Sequence, residues 1–416
     1  INLNRTSVAL KFVIEIVGAT TFDGKEKVSV FDIEYILTEA SQIVEYAFTR
    51  DVYINNMAEN TLTLLKSNRL GYDKNFMLQV NKLFKNSTMG RMIDLIKDKK
   101  NFIYQFCTNQ EEIGGFEEAF NEEFGFSLKD FNEVVRSILE LAELKNNKLE
   151  IIYTIDKEEI KSFIGNRVEK TEIEKIILYL SQTEREEYLK PPFPYRSVDV
   201  YPWRNNRELS LNRKPLIAYK NFIIYGYRTL VNSMFFLTEL ITNGTLQAKS
   251  MKMKKYISLI NNKKGNEFNE LAYNYLSTFK NCIVSKKVNK INGKKILDEN
   301  NNALGDIDIL FISKKYKTIY VCEVKNFGLS KNMYELYNEY RSVFDPNNNK
   351  NFYKKHMKRV EWCKKNINNI KQHYELQEGK WKVDYCFIVN EPLISNKAMK
   401  VQIKAYTLEE VDKYLK

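Results

Sequence analysis

The chain has 416 residues, of which 44% are hydrophobic and 28% charged, and it carries a net charge of +12. Its length allows two or three domains, and its composition excludes a largely disordered chain. No apolar run approaches the roughly 18 residues of a membrane span, so we expect a cytoplasmic protein without a membrane partner. The positive charge fits a surface that binds polyanions, but it also fits the Lys-rich composition that an AT-rich genome produces.

Cysteine and histidine usage narrows the chemistry further. The five cysteines are never spaced as Cys-x-x-Cys, which predicts reduced thiols rather than disulfides or a zinc ribbon. His356 and His373 are the only histidines, which excludes His-rich metal sites and most histidine-based acid–base schemes. Any catalysis must therefore use carboxylates and lysine.

Residues 1–190 are predicted to form a mainly helical N-terminal domain. Apolar side chains recur every three to four residues over Asp130–Leu144 and over Glu172–Leu189, which predicts two helices. Lys148–Ile155, between them, is typical of a strand.

Residues 191–261 are predicted to link this domain to the next. Five of the seven prolines lie between 191 and 215, so Lys190–Pro215 is expected to be an extended surface connector. A hairpin is predicted at Leu216–Tyr227, then a helix from Thr229 to Ile241 that Gly244 ends. The connector mixes aromatic and basic side chains that could clamp nucleic acid, although packing against neighbouring helices is the preferred interpretation: Tyr195, Tyr201, Trp203, Arg204 and Arg207.

Residues 262–416 have a mixed pattern that predicts one sheet with flanking helices, and hence an α+β multi-domain fold. A helical stretch is expected between the third strand and a basic helix. The remaining predicted elements are, in order, the helix Glu267–Phe279, the strands Cys282–Val288, Leu304–Ser313 and Thr318–Lys325, the basic helix Tyr353–Tyr374, the strands Val383–Val389 and Val401–Tyr406, and the helix Leu408–Leu415.

Two of these strands carry the informative residues. Because strand side chains alternate between faces, Asp306 and Asp308 share one face of the first strand, and Glu323 and Lys325 share one face of the second. The short turn Lys314–Lys317 makes the two strands a hairpin, so the acids and the lysine can meet near one end of the sheet. Clustered carboxylates are costly to bury without a cation, which indicates a hard divalent metal ion. A solvated hairpin with ordinary cross-strand ion pairs is the alternative.

This pattern resembles the PD-(D/E)XK nuclease superfamily, the restriction-endonuclease-like enzymes, over roughly residues 262–416. The resemblance rests on Lys264-Gly265-x-Glu267-Phe268 opening a helix, on Gly305-Asp306-x-Asp308, and on Glu323-Val324-Lys325-Asn326 ending a strand. It implies an α/β core with a central mixed sheet, and a phosphodiesterase that depends on Mg²⁺ or Mn²⁺.

The resemblance also implies roles for individual residues. Asp308 and Glu323 would bind the metal together with the backbone carbonyl of Val324, and Lys325 would position or activate the attacking water. Glu267 would be the helical acid, with Glu270 as the fallback, since Asn269 stands where many relatives carry the acid. Asp306 would lie at the edge of the site.

The basic helix is the predicted nucleic-acid surface. Its apolar residues recur at helical spacing, which leaves a basic face that could follow phosphates, although a solvated Lys-rich helix is the alternative. The candidate contacts are Lys354, Lys355, Lys358 and Arg359, with His356 as a further residue to test.

The sequence therefore predicts a Mg²⁺-dependent DNA endonuclease, and the resemblance implies a role in bacterial restriction or anti-phage defence. DNA is preferred to RNA as the partner, and a homo-oligomer or a partner defence subunit is left open. The alternatives are a nucleic-acid-binding module with weak or lost catalysis, and an interaction protein that is basic through genome bias alone. Asp308→Ala or Glu323→Ala is expected to lower cleavage by orders of magnitude without unfolding the protein. In metal-free buffer each change is expected to favour stability, because the remaining carboxylates repel each other less.

Overall fold

The computed structural model of the chain describes most of its residues. These are residues 3–20, 27–57, 62–68, 70–72, 75, 78–79, 82, 115–145, 151–204, 206–328, 330, 332–345, 347–399, 401 and 403–415. Cys107 and the start of the predicted strand at Lys148 lie outside them. The chain forms two compact units, Ile1–Asp51 with Asp94–Asn261, and Val52–Ile93 with Asn262–Lys416.

The first unit is mainly helical around a small antiparallel sheet. The sheet has the order β3-β5-β4, with β3 at Ile152–Asp156, β4 at Ile217–Tyr219 and β5 at Phe222–Gly226. The described helices of this unit are α1 (Leu3–Ala19), α2 (Val30–Ile54, whose last residues enter the second unit), α3 (Phe116–Phe124), α4 (Leu128–Lys145), α5 (Lys157–Ile164), α6 (Lys170–Leu180) and α7 (Tyr227–Thr242). The apolar faces of α3–α7 form one core with the sheet, as the 3–4 spacing predicted for α4 and α6. Helices α1 and α2 pack together in a separate apolar cluster that contains Phe12 and Val44.

Helix α6 ends earlier than the predicted helix Glu172–Leu189. After Leu180 the backbone becomes extended at Ser181, and Gln182 N–H donates to the Leu216 carbonyl at 2.8 Å. Leu189, assigned to the apolar face, is exposed. The prediction was wrong here because a tertiary backbone pairing with Leu216 replaced the last helical turns.

The predicted surface connector is also wrong for its second half. A short 3₁₀ helix covers Ser197–Val200, and several later residues are buried, among them Leu209, Arg213 and Lys214. Burying charged side chains requires partners, and these have them: Lys214 Nζ, for example, donates to the Tyr179 carbonyl at 2.8 Å. Residues 191–261 fall within the first unit.

The second unit is built on a five-stranded mixed sheet, as predicted. Its strands are β6 (Cys282–Val288), β9 (Ile307–Ser313), β10 (Thr318–Lys325), β11 (Lys382–Val389) and β12 (Ala405–Tyr406). They lie in the order β12-β11-β10-β9-β6, with β9 antiparallel to β6 and β10, and β11 parallel to β10 and β12. Short hairpins are formed by β1 (Leu62–Leu64) and β2 (Leu70–Tyr72), and by β7 (Lys290–Ile291) and β8 (Lys294–Lys295).

Helices cover both faces of this sheet. The helices described here are α8 (Met251–Ser277, which begins in the first unit), α9 (Met333–Val343), α10 (Phe352–Lys365), α11 (Ile367–His373), α12 (Ile394–Ala398) and α13 (Leu408–Leu415). Phe268, Ala272 and Leu276 of α8 pack with α13 against one face, and Val360 and Cys363 of α10 pack against the other. The four cysteines of the described residues are free thiols, as predicted.

Three predicted elements of this unit are shorter than expected. Strand β9 begins at Ile307 rather than at Leu304. The basic helix is interrupted at Asn366, whose side chain donates to the Trp362 carbonyl at 2.9 Å and competes with the helical hydrogen bonds. The predicted strand Val401–Tyr406 pairs only from Ala405, because the Asn396 side chain bonds both the N–H and the carbonyl of Ile403.

Candidate active site

The candidate site lies where β9 and β10 run side by side. The ladder between them pairs Cys322 with Ile309, so the next residues, Glu323 and Asp308, stand opposite each other. Both project from the sheet face that α10 covers, since Leu310 and Val321, two residues away on each strand, belong to that core. Asp308 Oδ2 accepts the Val324 N–H at 2.8 Å, which holds the carboxylate against β10.

Lys325 joins the two carboxylates. Its Nζ lies 2.8 Å from Glu323 Oε1 and 3.2 Å from Asp308 Oδ2, and it donates to the Val324 carbonyl at 3.1 Å. The predicted convergence of Asp308, Glu323 and Lys325 is thus confirmed as geometry. Their roles as ligands and water-positioning group stay predictions.

Helix α10 adds two side chains to this cluster. Arg359 Nη1 donates to Glu323 Oε2, and His356 Nδ1 lies 3.5 Å from the same oxygen. His356 is fully buried, with its ring 5.0 Å from that of Phe387 on β11. The sequence named both residues only as phosphate contacts. Their spacing with Val360 and Cys363, the buried residues of the same helix, is the signal that could have placed them on the inner face.

Burial and neighbouring charges shift the pKa values of the two carboxylates in opposite directions. Burial, and then the negative charge of Glu323, raise the pKa of Asp308. Burial alone would raise the pKa of Glu323 too, but His356, Lys325 and Arg359 outweigh it and lower that pKa to about 2. Burial would lower the pKa of Lys325, yet the two carboxylates raise it, so the ammonium keeps its proton at neutral pH.

The helical acids lie elsewhere. Glu267 is 62% exposed, 3.9 Å from Lys263, and Glu270 pairs with Lys286 at the β6 edge. The reason is the rotation of α8, whose apolar residues face the sheet and leave these positions at its sides. Asn269 is buried with its Oδ1 unbonded among the described residues. The structure does not bring Glu267 into the cluster, and Asp306 lies exposed ahead of β9.

The remaining predicted contacts separate into surface and interior residues. Lys355 and Lys358 are exposed on α10, and Lys354 Nζ donates to the Asn349 side chain. In the first unit, Arg207 is buried against Glu15, and Arg204 Nη2 lies 3.3 Å from Asp51. The Tyr201 and Trp203 rings stack on each other, with their centroids 4.7 Å apart. Arg207 is therefore an internal counter-ion, which corrects the clamp interpretation for that residue.

The oxygen ligands at the cluster fit a hard metal ion that needs few protein ligands because it keeps several bound waters. Among the described residues, no three His, Cys, Asp or Glu side chains are grouped so that they could hold a metal ion. Asp308 and Glu323 supply two carboxylates, and the Val324 carbonyl is a third oxygen beside them. Mg²⁺ is commonly held by one or two carboxylates while it keeps several waters, so these residues suit it.

Together, the fold and the cluster define an α+β protein with an acid–lysine site on the face of a mixed sheet that α10 covers. Residues 6–397 match the family model described as anti-phage protein Upx-like, and the chain belongs to this Upx-like family. The match supports the predicted role in anti-phage defence, and its description names no nuclease. No curated protein and no solved structure matches the chain. No helix in the part of the chain that the structure describes is long and apolar enough to cross a membrane.

Proposed function

We propose that the protein acts in anti-phage defence as a metal-dependent nuclease, with DNA as its substrate and Mg²⁺ or Mn²⁺ as its cofactor. The observation that carries the proposal is the meeting of Asp308, Glu323 and Lys325 on one sheet face. The motif that supplies them resembles the PD-(D/E)XK nucleases, and membership of an anti-phage family gives a reason to cut foreign nucleic acid.

Each residue of the cluster has a task in this chemistry. A bound divalent ion supplies Lewis-acid activation of water and neutralises charge on the phosphate. Asp308, Glu323 and the Val324 carbonyl would hold it. The Lys325 ammonium, between the two carboxylates, would orient the attacking water and stabilise the negative charge that develops on the phosphate. The β9–β10 ladder holds these groups in place before substrate arrives.

The test is incubation of the purified protein with plasmid, linear duplex, single-stranded DNA and RNA in Mg²⁺, Mn²⁺ or EDTA. We expect nicked and linear plasmid with either metal ion and none in EDTA. If the protein cleaved only RNA, the proposed substrate would change from DNA to RNA, while the proposed active site would stand. A folded protein that cuts none of these nucleic acids would contradict the nuclease proposal.

A second candidate is a nucleic-acid-binding module with weak or lost catalysis. The observation in its favour is that Lys325 and Arg359 already neutralise Glu323, while Glu267 stands outside the cluster. This candidate predicts that the wild type and Glu323→Gln bind a duplex equally and that neither cuts it.

The basic helix gives a separate prediction on binding. Lys358 is exposed on α10, so Lys358→Ala is expected to weaken duplex binding and to reduce the slope of log K against log salt by about 0.9 for one lost phosphate contact. Fluorescence anisotropy of a labelled duplex at several salt concentrations measures both. Lys175→Ala is the control, since Lys175 pairs with Glu172 on α6 in the first unit. Equal slopes for the two variants would contradict a contact between Lys358 and a phosphate.

A further inference from the structure

Both carboxylate oxygens of Glu323 are engaged by cations. Lys325 Nζ lies 2.8 Å from Oε1, and Arg359 Nη1 donates to Oε2. The Glu323 side chain is only 4% exposed, and buried His356 packs beside it on the same helix as Arg359. A divalent ion that binds Glu323 Oε2 would therefore meet the Arg359 guanidinium at the same oxygen.

Arg359 is held there by more than its charge. Its Nε donates to the Leu304 carbonyl at 2.9 Å. It also lies close to Gly305: a Cβ added at that position would be 3.1 Å from Arg359 Nη2, and the φ of +81° there favours glycine as well. The guanidinium thus links α10 to the turn that leads into β9 and Asp308. The D…E-x-K motif contains none of these contacts.

A guanidinium and a divalent cation at one carboxylate repel each other, so they compete. A phosphate oxygen changes this competition, because arginine binds phosphate through the same charge-assisted hydrogen bonds as carboxylate. The Arg359 side chain is 12% exposed, so part of it is accessible from solvent.

We propose that Arg359 is an exchangeable counter-ion of Glu323 that couples divalent-metal binding to nucleic-acid binding. A backbone phosphate takes the guanidinium, which releases Glu323 Oε2 to the metal ion. This inference rests on the proposed function, because it concerns the same metal site. It predicts positive coupling, which by linkage has the same size whichever partner binds first.

The first arm of the test measures Mn²⁺ affinity by calorimetry without nucleic acid. Arg359→Gln is expected to bind Mn²⁺ at least about tenfold more tightly than the wild type, because the competing charge is gone. Lys364→Gln removes an exposed charge from the same helix and is expected to match the wild type. Unchanged or weaker Mn²⁺ binding by Arg359→Gln would overturn the proposal and make Arg359 a positioning residue for Glu323.

The second arm measures the coupling with Ca²⁺, an oxygen-binding divalent ion with looser geometry, with and without a duplex of about 20 base pairs. The duplex is expected to raise Ca²⁺ affinity in the wild type and to change it much less in Arg359→Gln. Absence of coupling in the wild type would overturn the proposal even if the variant did not fold. Plasmid cleavage by the wild type distinguishes this proposal from the proposed nuclease function. Cleavage without coupling would contradict only the counter-ion role of Arg359. Coupling without cleavage would contradict only the nuclease activity.

Discussion

Glu323→Gln is expected to reduce nucleic-acid cleavage by at least about a hundredfold and to destabilise the second unit by about 3 kcal/mol at neutral pH. The loss of cleavage follows from removing a charged metal ligand. The loss of stability follows from the low pKa of Glu323, about 2, which shows that folding favours its ionised form. Without that charge, Lys325 and Arg359 lose their shared buried counter-ion. The sequence-based expectation of higher stability in metal-free buffer considered only repulsion between carboxylates, and the two cations beside Glu323 reverse the expected sign.

Asp308→Asn is the matched control, because it also removes a proposed metal ligand. Its raised pKa means that the folded protein disfavours ionised Asp308, so the neutral isostere is expected to stop cleavage while maintaining or raising stability. Hydrogen exchange of peptides covering 318–325 measures the stability of both variants, and plasmid cleavage measures activity. Equal destabilisation by the two variants would contradict the inference that folding favours ionised Glu323 and disfavours ionised Asp308.

The pH dependence of the Glu323 effect follows from the direction of its pKa shift. Its stabilising contribution is present above the unfolded pKa of about 4.5 and is lost as the pH falls towards about 2. The difference in free energy of unfolding between the wild type and Glu323→Gln should therefore be constant from pH 7 to about 5 and shrink below it.

Glu15→Gln is expected to destabilise the first unit by about 3–5 kcal/mol, because it leaves a buried arginine without its carboxylate. Glu15 is fully buried, and its oxygens lie 2.6 and 2.7 Å from Arg207 Nη1 and Nη2. It also accepts the Leu211 N–H at 2.7 Å and the Tyr188 hydroxyl at 3.2 Å. The Glu15 side chain thus ties α1 to the segment that the sequence predicted as a surface connector.

Two control variants test whether charge pairing between Glu15 and Arg207 causes this loss of stability. The double variant Glu15→Leu with Arg207→Met removes both charges and is expected to lose less stability than Glu15→Gln alone. Arg196→Met breaks the partly exposed pair with Asp199 and is expected to cost at most about 1 kcal/mol. Hydrogen exchange of peptides covering 206–216 measures all three. A double variant no more stable than Glu15→Gln would show that packing, rather than charge pairing, holds the segment.

The amino-acid sequence by itself determined the elements whose patterns are local. Strands β6 and β10 and helix α13 have the predicted bounds, since alternation and helical periodicity are set by neighbouring residues. The meeting of Asp308 with Glu323 and Lys325 was predictable for the same reason, because a short turn and a two-residue period determine which side chains face each other.

Only the tertiary structure decided which charges surround those residues. Arg359 and His356 reach Glu323 because α10 packs its Val360 face on the sheet, and Glu267 stays outside because α8 packs through Phe268. Arg207 is buried because Glu15, far away in the chain, is fully enclosed beside it. Such pairings depend on how a helix is rotated against distant residues and on whether a buried charge finds a partner, and local periodicity specifies neither.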